Sequence, residues 1–200
     1  MYPLVETIKV QNGIIVNIDL HQVRMQNSYL AFFRAFCPYD LKRILTVPEE
    51  FSRGQVKLRF LYSREDYTFQ FSNYRAKNIN TLRLVFDDDI DYSLKYTDRS
   101  MIDQLLKNKG DADDILIVKN SMVTDTSIAN IIFFDGKNWV TPANPLLQGV
   151  CRSHLLKKGT IYKRDIFWKD IFKFESFSWI NALNCDFSKR ILPISNIIYK

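Results

Sequence analysis

Cysteine is scarce in this chain of 200 residues. The three cysteines, Cys37, Cys151 and Cys185, are odd in number, lie far apart and form no Cys-x-x-Cys pair. This distribution predicts reduced thiols in a cytosolic protein, and it offers no metal-ligand pattern. We therefore expect neither disulfide bonds nor a bound metal.

Long apolar segments are also absent. No apolar run reaches the roughly 18 residues that a membrane helix requires. Residues 1–6 do not show the basic region and following apolar region of a secretion signal. The sequence thus predicts a cytoplasmic protein without membrane contact.

Runs of basic residues are missing as well, although the net charge is +6. Lysine and arginine are scattered along the chain, so nucleic-acid binding has only the bulk charge in its favour. We expect no nucleic-acid partner. A basic enzyme that acts on anionic substrates fits the same charge.

Glycine and proline number only six each, which leaves room for short linkers only. By contrast, 46% of the residues are apolar and 14% are aromatic, which is ample for a core and argues against disorder. A chain of this length forms one large domain or two small domains that share a cleft.

The N-terminal half predicts a layer of antiparallel strands with helices on one side. Asn12-Gly13 separates two β-rich segments, which is a strong hairpin signal. Asp19 is expected to cap a helix that begins at Leu20 and is closed by Pro38. The other elements predicted in this half are short helices at 40–45 and 49–52 and strands at 56–62, 67–71 and 81–86.

The C-terminal half predicts more strands than helices. The acidic run Asp87-Asp88-Asp89 is expected to form a solvated turn near a domain junction. We therefore predict an α+β fold with two domains, residues 1–90 and 91–200. The elements predicted after residue 90 are helices at 98–108, 150–157 and 166–172 and strands at 115–118, 130–134, 139–141, 161–164, 176–183 and 191–198.

Three segments of this half carry residues with a chemical interpretation. Lys95 precedes Asp98-Arg99, and Asp125 is followed by Asn130 and an apolar strand. Gly149-Val150-Cys151-Arg152 stands at a predicted helix start. Taken singly they indicate an exposed lysine, a turn acid and a glycine before a helix. In order and spacing, however, they resemble the fold-type IV pyridoxal-phosphate enzymes, namely the class IV aminotransferases and aminodeoxychorismate lyases.

The resemblance implies a role for each residue. Lys95 would be the catalytic residue, binding pyridoxal phosphate covalently and then moving a proton between the substrate carbon and the cofactor. Asp125 would keep the pyridine nitrogen protonated, although the family usually has the longer Glu here. Asn130 would support the cofactor loop or contact the cofactor directly.

Phosphate binding is implied for the turn that precedes the predicted helix at 150. The amides of Val150 and Cys151, after Gly149, would hold the phosphate, since helix-start amides lack backbone partners. Cys151 replaces a hydroxyl that is common at this position in the family. Arg24, in a His-x-x-Arg motif that begins at His21, would grip the same phosphate or else face solvent.

Less specific matches extend the implied site. Asn181, in Asn181-Ala182-Leu183, would lie near the phosphate. Arg59 and Tyr62, on one predicted strand, would bind the substrate carboxylate or would simply be surface residues of that strand. The implied architecture is D-amino-acid-aminotransferase-like, with mainly antiparallel sheets, flanking helices and a cofactor cleft between the two domains.

Three alternatives for the function remain open at this point, two of them enzymes and one a binding protein. The Asn-Ala-Leu segment favours the lyase branch, which removes pyruvate from aminodeoxychorismate and leaves 4-aminobenzoate on the route to folate. A class IV aminotransferase uses the same residues on another amino acid-like substrate. A cofactor-less relative that binds a partner is the third alternative, because the chain begins almost at Glu6-Thr7-Ile8 and part of the usual N-terminal sheet would be missing. The resemblance also implies a homodimer.

Overall fold

The computed structural model describes residues 1–199, which fall into two compact units. The first unit comprises Met1–Ala76 and Leu94–Asp98, and the second comprises Lys77–Ser93 and the chain from Arg99 onward. The first unit thus ends before the predicted boundary at residue 90 and takes up a short later segment. No helix among the described residues combines the length and the apolar character needed to cross a bilayer.

The first unit is one antiparallel sheet covered by helices on one face. The strand order is β2-β1-β3-β4. Asn12 and Gly13 both have positive φ, at 49° and 79°, so the predicted Asn-Gly hairpin is confirmed. The elements are β1 (Leu4–Gln11), β2 (Ile14–Ile15), α1 (Ile18–Phe33), α2 (Leu41–Ile44), a 3-10 turn (Glu49–Phe51), β3 (Gln55–Tyr62) and β4 (Tyr67–Asn73).

The caps predicted for α1 are wrong. The helix begins at Ile18 after Asn17, whose φ is 56°, and Asp19 lies in the first turn, where its carboxylate pairs with Lys42 at 2.6 Å. The helix ends at Phe33 because Arg34 adopts a left-handed conformation and donates its amide to the carbonyl of Leu30. Pro38 therefore follows a helix that has already ended.

The core of the first unit lies between the sheet and the helices. Side chains of β1 and β3 alternate between two faces, as the strand period of two requires. The residues that point toward the helices are almost fully buried, and α1 adds Met25 and Tyr29 to them. The strand residues of this core are Leu4, Ile8, Val10, Val56, Leu58, Phe60 and Tyr62.

The second unit contains a larger sheet with the strand order β10-β9-β8-β7-β6-β5-β13, and β11 pairs with both β8 and β12. Its elements are β5 (Leu82–Phe86), α3 (Ser100–Leu106), β6 (Asp114–Lys119), β7 (Met122–Thr126), β8 (Asn130–Phe134), β9 (Trp139–Pro142), α4 (Val150–Lys157), β10 (Tyr162–Arg164), β11 (Ser176–Ile180), β12 (Leu192–Pro193) and β13 (Ile197–Ile198). Short 3-10 turns lie at Lys107–Lys109, Trp168–Lys173, Phe187–Lys189 and Ile194–Asn196.

Pairing in the second sheet is mainly antiparallel, as predicted. The parallel pairs are β5–β6, β5–β13 and β9–β10. The sheet packs around Trp179, which is fully buried and donates its indole N–H to the carbonyl of Ile79 at 3.3 Å. The acidic run forms the predicted turn, since Asp87 accepts the amides of Asp89 and Ile90.

Candidate active site

Asp125 is the acid at the centre of the second unit's candidate site. It lies on β7, is 5% exposed and pairs in register with Asn130 at the start of β8. One carboxylate oxygen accepts the side-chain amide of Asn130 at 2.7 Å, and the other accepts the backbone amide of Leu147 at 2.9 Å. These bonds hold the carboxylate in one orientation.

Burial controls the protonation of Asp125. It raises the pKa of the Asp125 carboxyl to about 6, because the charged form loses its hydration. The bonds from Leu147 and Asn130 and the charge of Arg152 oppose this rise without cancelling it. A cationic group beside Asp125 would therefore stabilise the charged form that burial disfavours.

Asn130 joins this acid to the turn before α4. Its side-chain amide also donates to the carbonyl of Leu147 at 2.9 Å. Its oxygen lies so close to Gly149 that a Cβ on residue 149 would stand 1.9 Å from it. Gly149 has an ordinary backbone, with φ −68° and ψ 141°, so glycine is needed here for close approach rather than for conformation. Asn130 acts as a structural support, one of its two predicted roles; its contact with a cofactor stays a prediction.

The start of α4 provides backbone donors at this turn. The first helical bond runs from the amide of Ser153 to the carbonyl of Gly149 at 2.9 Å. The amides of Val150, Cys151 and Arg152 precede that bond and so have no partner within the helix. A helix N-terminus with such amides suits an anion.

Cys151 and Cys185 form a disulfide, so the prediction of reduced thiols is wrong for this pair. The start of α4 packs against the loop after β11, which brings the two Cα atoms to 5.6 Å. The separation of 34 residues along the chain hid this proximity in the sequence. Cys37 is a free thiol, as predicted.

Arg152 is a residue whose importance sequence reasoning missed. Its side chain is 1% exposed and donates to the hydroxyl of Thr141, the side chain of Gln148 and the carbonyl of Pro142. It therefore fastens α4 to the end of β9. The available signal was an arginine that directly follows Val150 and Cys151 at the helix start, because a buried arginine needs hydrogen-bond acceptors.

Asn181 holds a loop beside the Asp125 hairpin. Its oxygen accepts the amides of Leu183 and Asn184, and its amide donates to the carbonyl of Ile128 at 3.3 Å. Arg99 reaches the same hairpin through the carbonyl of Ser127 at 3.0 Å. Asn181 thus supports the hairpin, and its predicted contact with a phosphate stays a prediction.

Lys95 belongs to the first unit, where it lies beside β1. The amide of Val5 donates to the carbonyl of Lys95 at 3.0 Å, and Leu4 and Tyr96 form an antiparallel bridge. Leu94 and Tyr96 pack against the helical core. The segment around Lys95 is therefore an extra edge piece of the first sheet.

Arg24 lies in a buried charged cluster with Glu6 and His21. Arg24 donates two bonds to the Glu6 carboxylate, at 2.9 and 2.5 Å, and Nδ1 of His21 lies 2.6 Å from the same carboxylate. Burial favours the neutral form of Glu6, but Arg24 and His21 outweigh it and lower the Glu6 pKa to about 2. Burial lowers the pKa of His21, so a neutral imidazole donates from Nδ1 to the carboxylate.

This cluster changes the expectation for Arg24. Its guanidinium is paired with the buried carboxylate of Glu6, so the alternative prediction that Arg24 faces solvent is wrong. Phosphate binding by Arg24 stays a prediction, and it would have to use the guanidinium edge that Glu6 leaves. Glu6 itself carried no predicted role.

Arg59 and Tyr62 lie on opposite faces of β3 because their positions differ by three residues. Arg59 is exposed, whereas Tyr62 is fully buried in the helical core. They cannot bind one carboxylate together. Substrate binding thus stays a prediction for Arg59, and Tyr62 is a core residue of the first unit.

Comparison with known proteins shows the family to which these residues belong. The family model described as amino-transferase class IV matches residues 92–197, more than half of the chain. The chain belongs to the class IV aminotransferase family. The matched segment includes Lys95, Asp125 and the turn at Gly149.

Two relatives resemble this family member over most of its length. An uncharacterized protein of Haemophilus influenzae Rd is 42% identical over 186 residues, which are 92% of this chain and 99% of that protein. A crystal structure from Haemophilus somnus 129PT, provisionally named a 4-amino-4-deoxychorismate lyase, is 39% identical, with a TM-score of 0.86, and covers 92% of this chain and 97% of that chain.

A more distant solved structure shares the fold. A hypothetical aminotransferase of Mycobacterium tuberculosis in its PLP-bound form is 16% identical, with a TM-score of 0.79, over 98% of this chain and 81% of that chain. At this identity the likeness concerns the fold alone. It agrees with the predicted α+β architecture and its mainly antiparallel sheets.

Proposed function

We propose that this protein is a pyridoxal-phosphate-dependent enzyme that removes pyruvate from aminodeoxychorismate and leaves 4-aminobenzoate. The observation that carries this proposal is the 39% identity, across nearly the whole of both chains, to the Haemophilus somnus structure named provisionally as such a lyase. The Asn181-Ala182-Leu183 segment adds support from the sequence.

The second unit's residues fit pyridoxal phosphate on two observations. Asp125 is a buried carboxyl that favours a cationic partner, which a protonated pyridine nitrogen would be. The amides of Val150 and Cys151 at the start of α4 offer donors to a phosphate, and Gly149 lets the turn approach Asn130. These residues would hold the ring and the phosphate.

Each residue of this chain then has a task in the reaction. When bound, pyridoxal phosphate supplies an electron sink for the substrate carbon. Lys95 would bind the cofactor, release it to the substrate amine and take the α-proton at Nζ. Asp125 would hold its charge beside the ring nitrogen, and Asn130 and the amide of Leu147 would keep that carboxylate oriented.

A class IV aminotransferase is the second candidate. The solved structure from Mycobacterium tuberculosis is named a hypothetical aminotransferase, and the same lysine and acid would serve either reaction. The two reactions differ in their products. A lyase releases pyruvate without an acceptor, whereas a transaminase requires an oxo acid and forms an amino acid.

The test loads the protein with pyridoxal phosphate and supplies aminodeoxychorismate. We expect pyruvate and 4-aminobenzoate in equal amounts, no dependence on an added oxo acid, and no product with Lys95→Ala. Lys107→Ala, a change of an exposed lysine, is the matched control and should retain activity. Amino transfer without pyruvate release would favour the second candidate. Failure to take up cofactor would favour a binding protein that kept the fold.

We also propose that the enzyme is a homodimer that binds an amino acid-like small molecule. Light scattering of the loaded protein tests the first part. A mass of one chain at micromolar concentration would contradict it.

A further inference from the structure

Strand β4 is an open edge of the first sheet. It is the last strand in the order β2-β1-β3-β4, and within residues 1–199 no further strand pairs with it. Its seven residues, Tyr67–Asn73, include no charged residue and no proline, and its pairing with β3 has no bulge. Natural sheets usually protect an edge by such means, because free backbone groups can pair with another chain. This edge is unprotected.

Backbone groups of β4 face away from the sheet at every second residue. The amide of Tyr74 donates to the carbonyl of Gln55 at 3.2 Å. Because backbone groups alternate between the two sides of a strand, the even-numbered residues of β4 bond to β3 and the odd-numbered ones direct their N–H and C=O groups outward. The outward N–H groups include those of Phe69, Phe71 and Asn73.

The side chains of β4 also leave this edge accessible. Phe69 pairs with Phe60 of β3 on the core-facing side, and the two rings stack at 6.3 Å. Phe69 is nevertheless 36% exposed. Gln70 lies on the opposite face and is exposed. An added strand would cover the Phe69 ring and bond the outward backbone groups.

We propose that β4 pairs antiparallel with β4 of a second copy of this chain, about a two-fold axis at Gln70. This inference rests on the homodimer of the proposed function and names its surface. A two-fold interface requires an edge that is complementary to itself. In this register Gln70 meets its own copy, Phe69 lies opposite the partner's Phe71, and Thr68 lies opposite the partner's Ser72.

The geometry of β4 agrees with this register. Phe69 and the partner's Phe71 both direct backbone groups outward, so they would exchange N–H···O=C bonds across the edge. Gln70 and its copy would form the intervening pair without backbone bonds, in which Cα atoms approach to about 4.5 Å. Aromatic rings would then face each other on the core side, and neutral polar groups would do so on the other face.

The charges at the two ends of β4 favour a second copy as the occupant. Glu65 and Asp66 precede the strand, where Arg64 offsets one of the two acids, and Arg75 follows its end. Antiparallel pairing would bring the acidic end of one copy beside the basic end of the other, and the two-fold axis would repeat this contact. Glu65 and Arg75 are both exposed, so each is available for this pairing.

A charge swap at Gln70 tests the position of the axis. Gln70→Lys and Gln70→Glu each place two like charges face to face, so each should raise the dimer dissociation constant about fivefold or more in low salt. An equimolar mixture of the two variants should dimerise again, because Lys then faces Glu. Gln104→Lys, which adds the same charge to an exposed site of the second unit, should leave the dimer unchanged. Sedimentation measures all four samples, and unchanged circular dichroism shows that each variant is folded.

Cross-linking tests the register independently. In a Cys37→Ser background, which removes the free thiol, Gln70→Cys should form a covalent dimer on air oxidation because its two Cα atoms lie within disulfide range. Thr68→Cys lies on the same face, but the axis places its two copies roughly 13 Å apart. It should therefore stay unlinked.

The outcomes separate this inference from the proposed function. A dimer that persists in Gln70→Lys and is not linked by Gln70→Cys would overturn the inference and leave the homodimer with another surface. A single-chain mass for the unmodified protein would overturn both, and the edge would then be open to an extended peptide of another protein. Pyruvate release by such a single chain would leave the proposed lyase activity standing.

Discussion

The side-chain amide of Asn130 donates to the carboxylate of Asp125 at 2.7 Å, while its oxygen occupies the space where a side chain on residue 149 would lie. One amide therefore couples the buried acid to the turn before α4. A substitution in the turn at Gly149 should therefore disturb the Asp125 carboxylate, and a substitution of Asp125 should disturb the turn.

Gly149→Ala tests this coupling. The new methyl group would collide with the Asn130 oxygen, and the displacement should cost about 1–3 kcal/mol of unfolding free energy and weaken cofactor binding. Adding Asn130→Ala removes the colliding group, so the double variant should lose less than the sum of the two single changes. Urea denaturation of all four proteins measures this. Strict additivity would show that the two residues are not coupled.

Asp125→Asn should change how stability depends on pH. The folded-state pKa of about 6 exceeds the unfolded value near 3.8, so protonated Asp125 favours the folded state. That contribution is fully present below pH 4 and is lost as pH rises through 6. The unfolding free energy of the unmodified protein minus that of Asp125→Asn should therefore fall by about 3 kcal/mol between pH 4 and pH 7. A difference that is constant with pH would contradict the raised pKa.

Glu6→Gln should have the opposite pH signature. The folded-state pKa of Glu6, about 2, lies below its unfolded value of 4.5, so its ionised form stabilises the fold above pH 4.5 and this contribution is lost as pH falls toward 2. We expect the variant to lose roughly 3 kcal/mol at pH 7, because Arg24 stays buried without its acid. The deficit should shrink on acidification, and chemical denaturation at pH 3 and pH 7 compares the two states. An equal deficit at both values would contradict this account.

Reduction of the Cys151–Cys185 bond should destabilise the second unit. The bond closes a segment of 34 residues, for which chain entropy predicts a loss of about 4 kcal/mol on reduction. A phosphine reductant should lower the melting temperature of the unmodified protein by several degrees. Cys185→Ser should melt at one temperature with or without reductant, and Cys37→Ser should behave like the unmodified protein. A melting temperature that ignores the reductant in the unmodified protein would mean that the bond contributes no stability.

Local features of the fold were predictable because their signals are short in range. The Asn12-Gly13 turn predicted the first hairpin, and both residues have the positive φ that such a turn requires. The strand β7 was missed because its hairpin turn uses Asn120 and Ser121 at positive φ, without the glycine that normally marks such a turn.

Contacts between distant parts of the chain were not predictable from single positions. The disulfide, the buried bonds of Arg152 and the Glu6 cluster each depend on how whole elements pack. Tyr62 was assigned to substrate binding because the family resemblance implies substrate contacts on its strand, but strand alternation places it in the core. The candidate site residues were assigned from their order along the chain, whereas their supporting contacts required the structure.

The most direct test of the central claim, that Lys95 carries pyridoxal phosphate, is borohydride reduction of the loaded protein followed by peptide mass spectrometry. We predict a cofactor adduct on the peptide that contains Lys95, visible absorbance before reduction, and neither signal in Lys95→Ala. An adduct on a different lysine, or a protein that stays colourless with excess cofactor, would contradict the account.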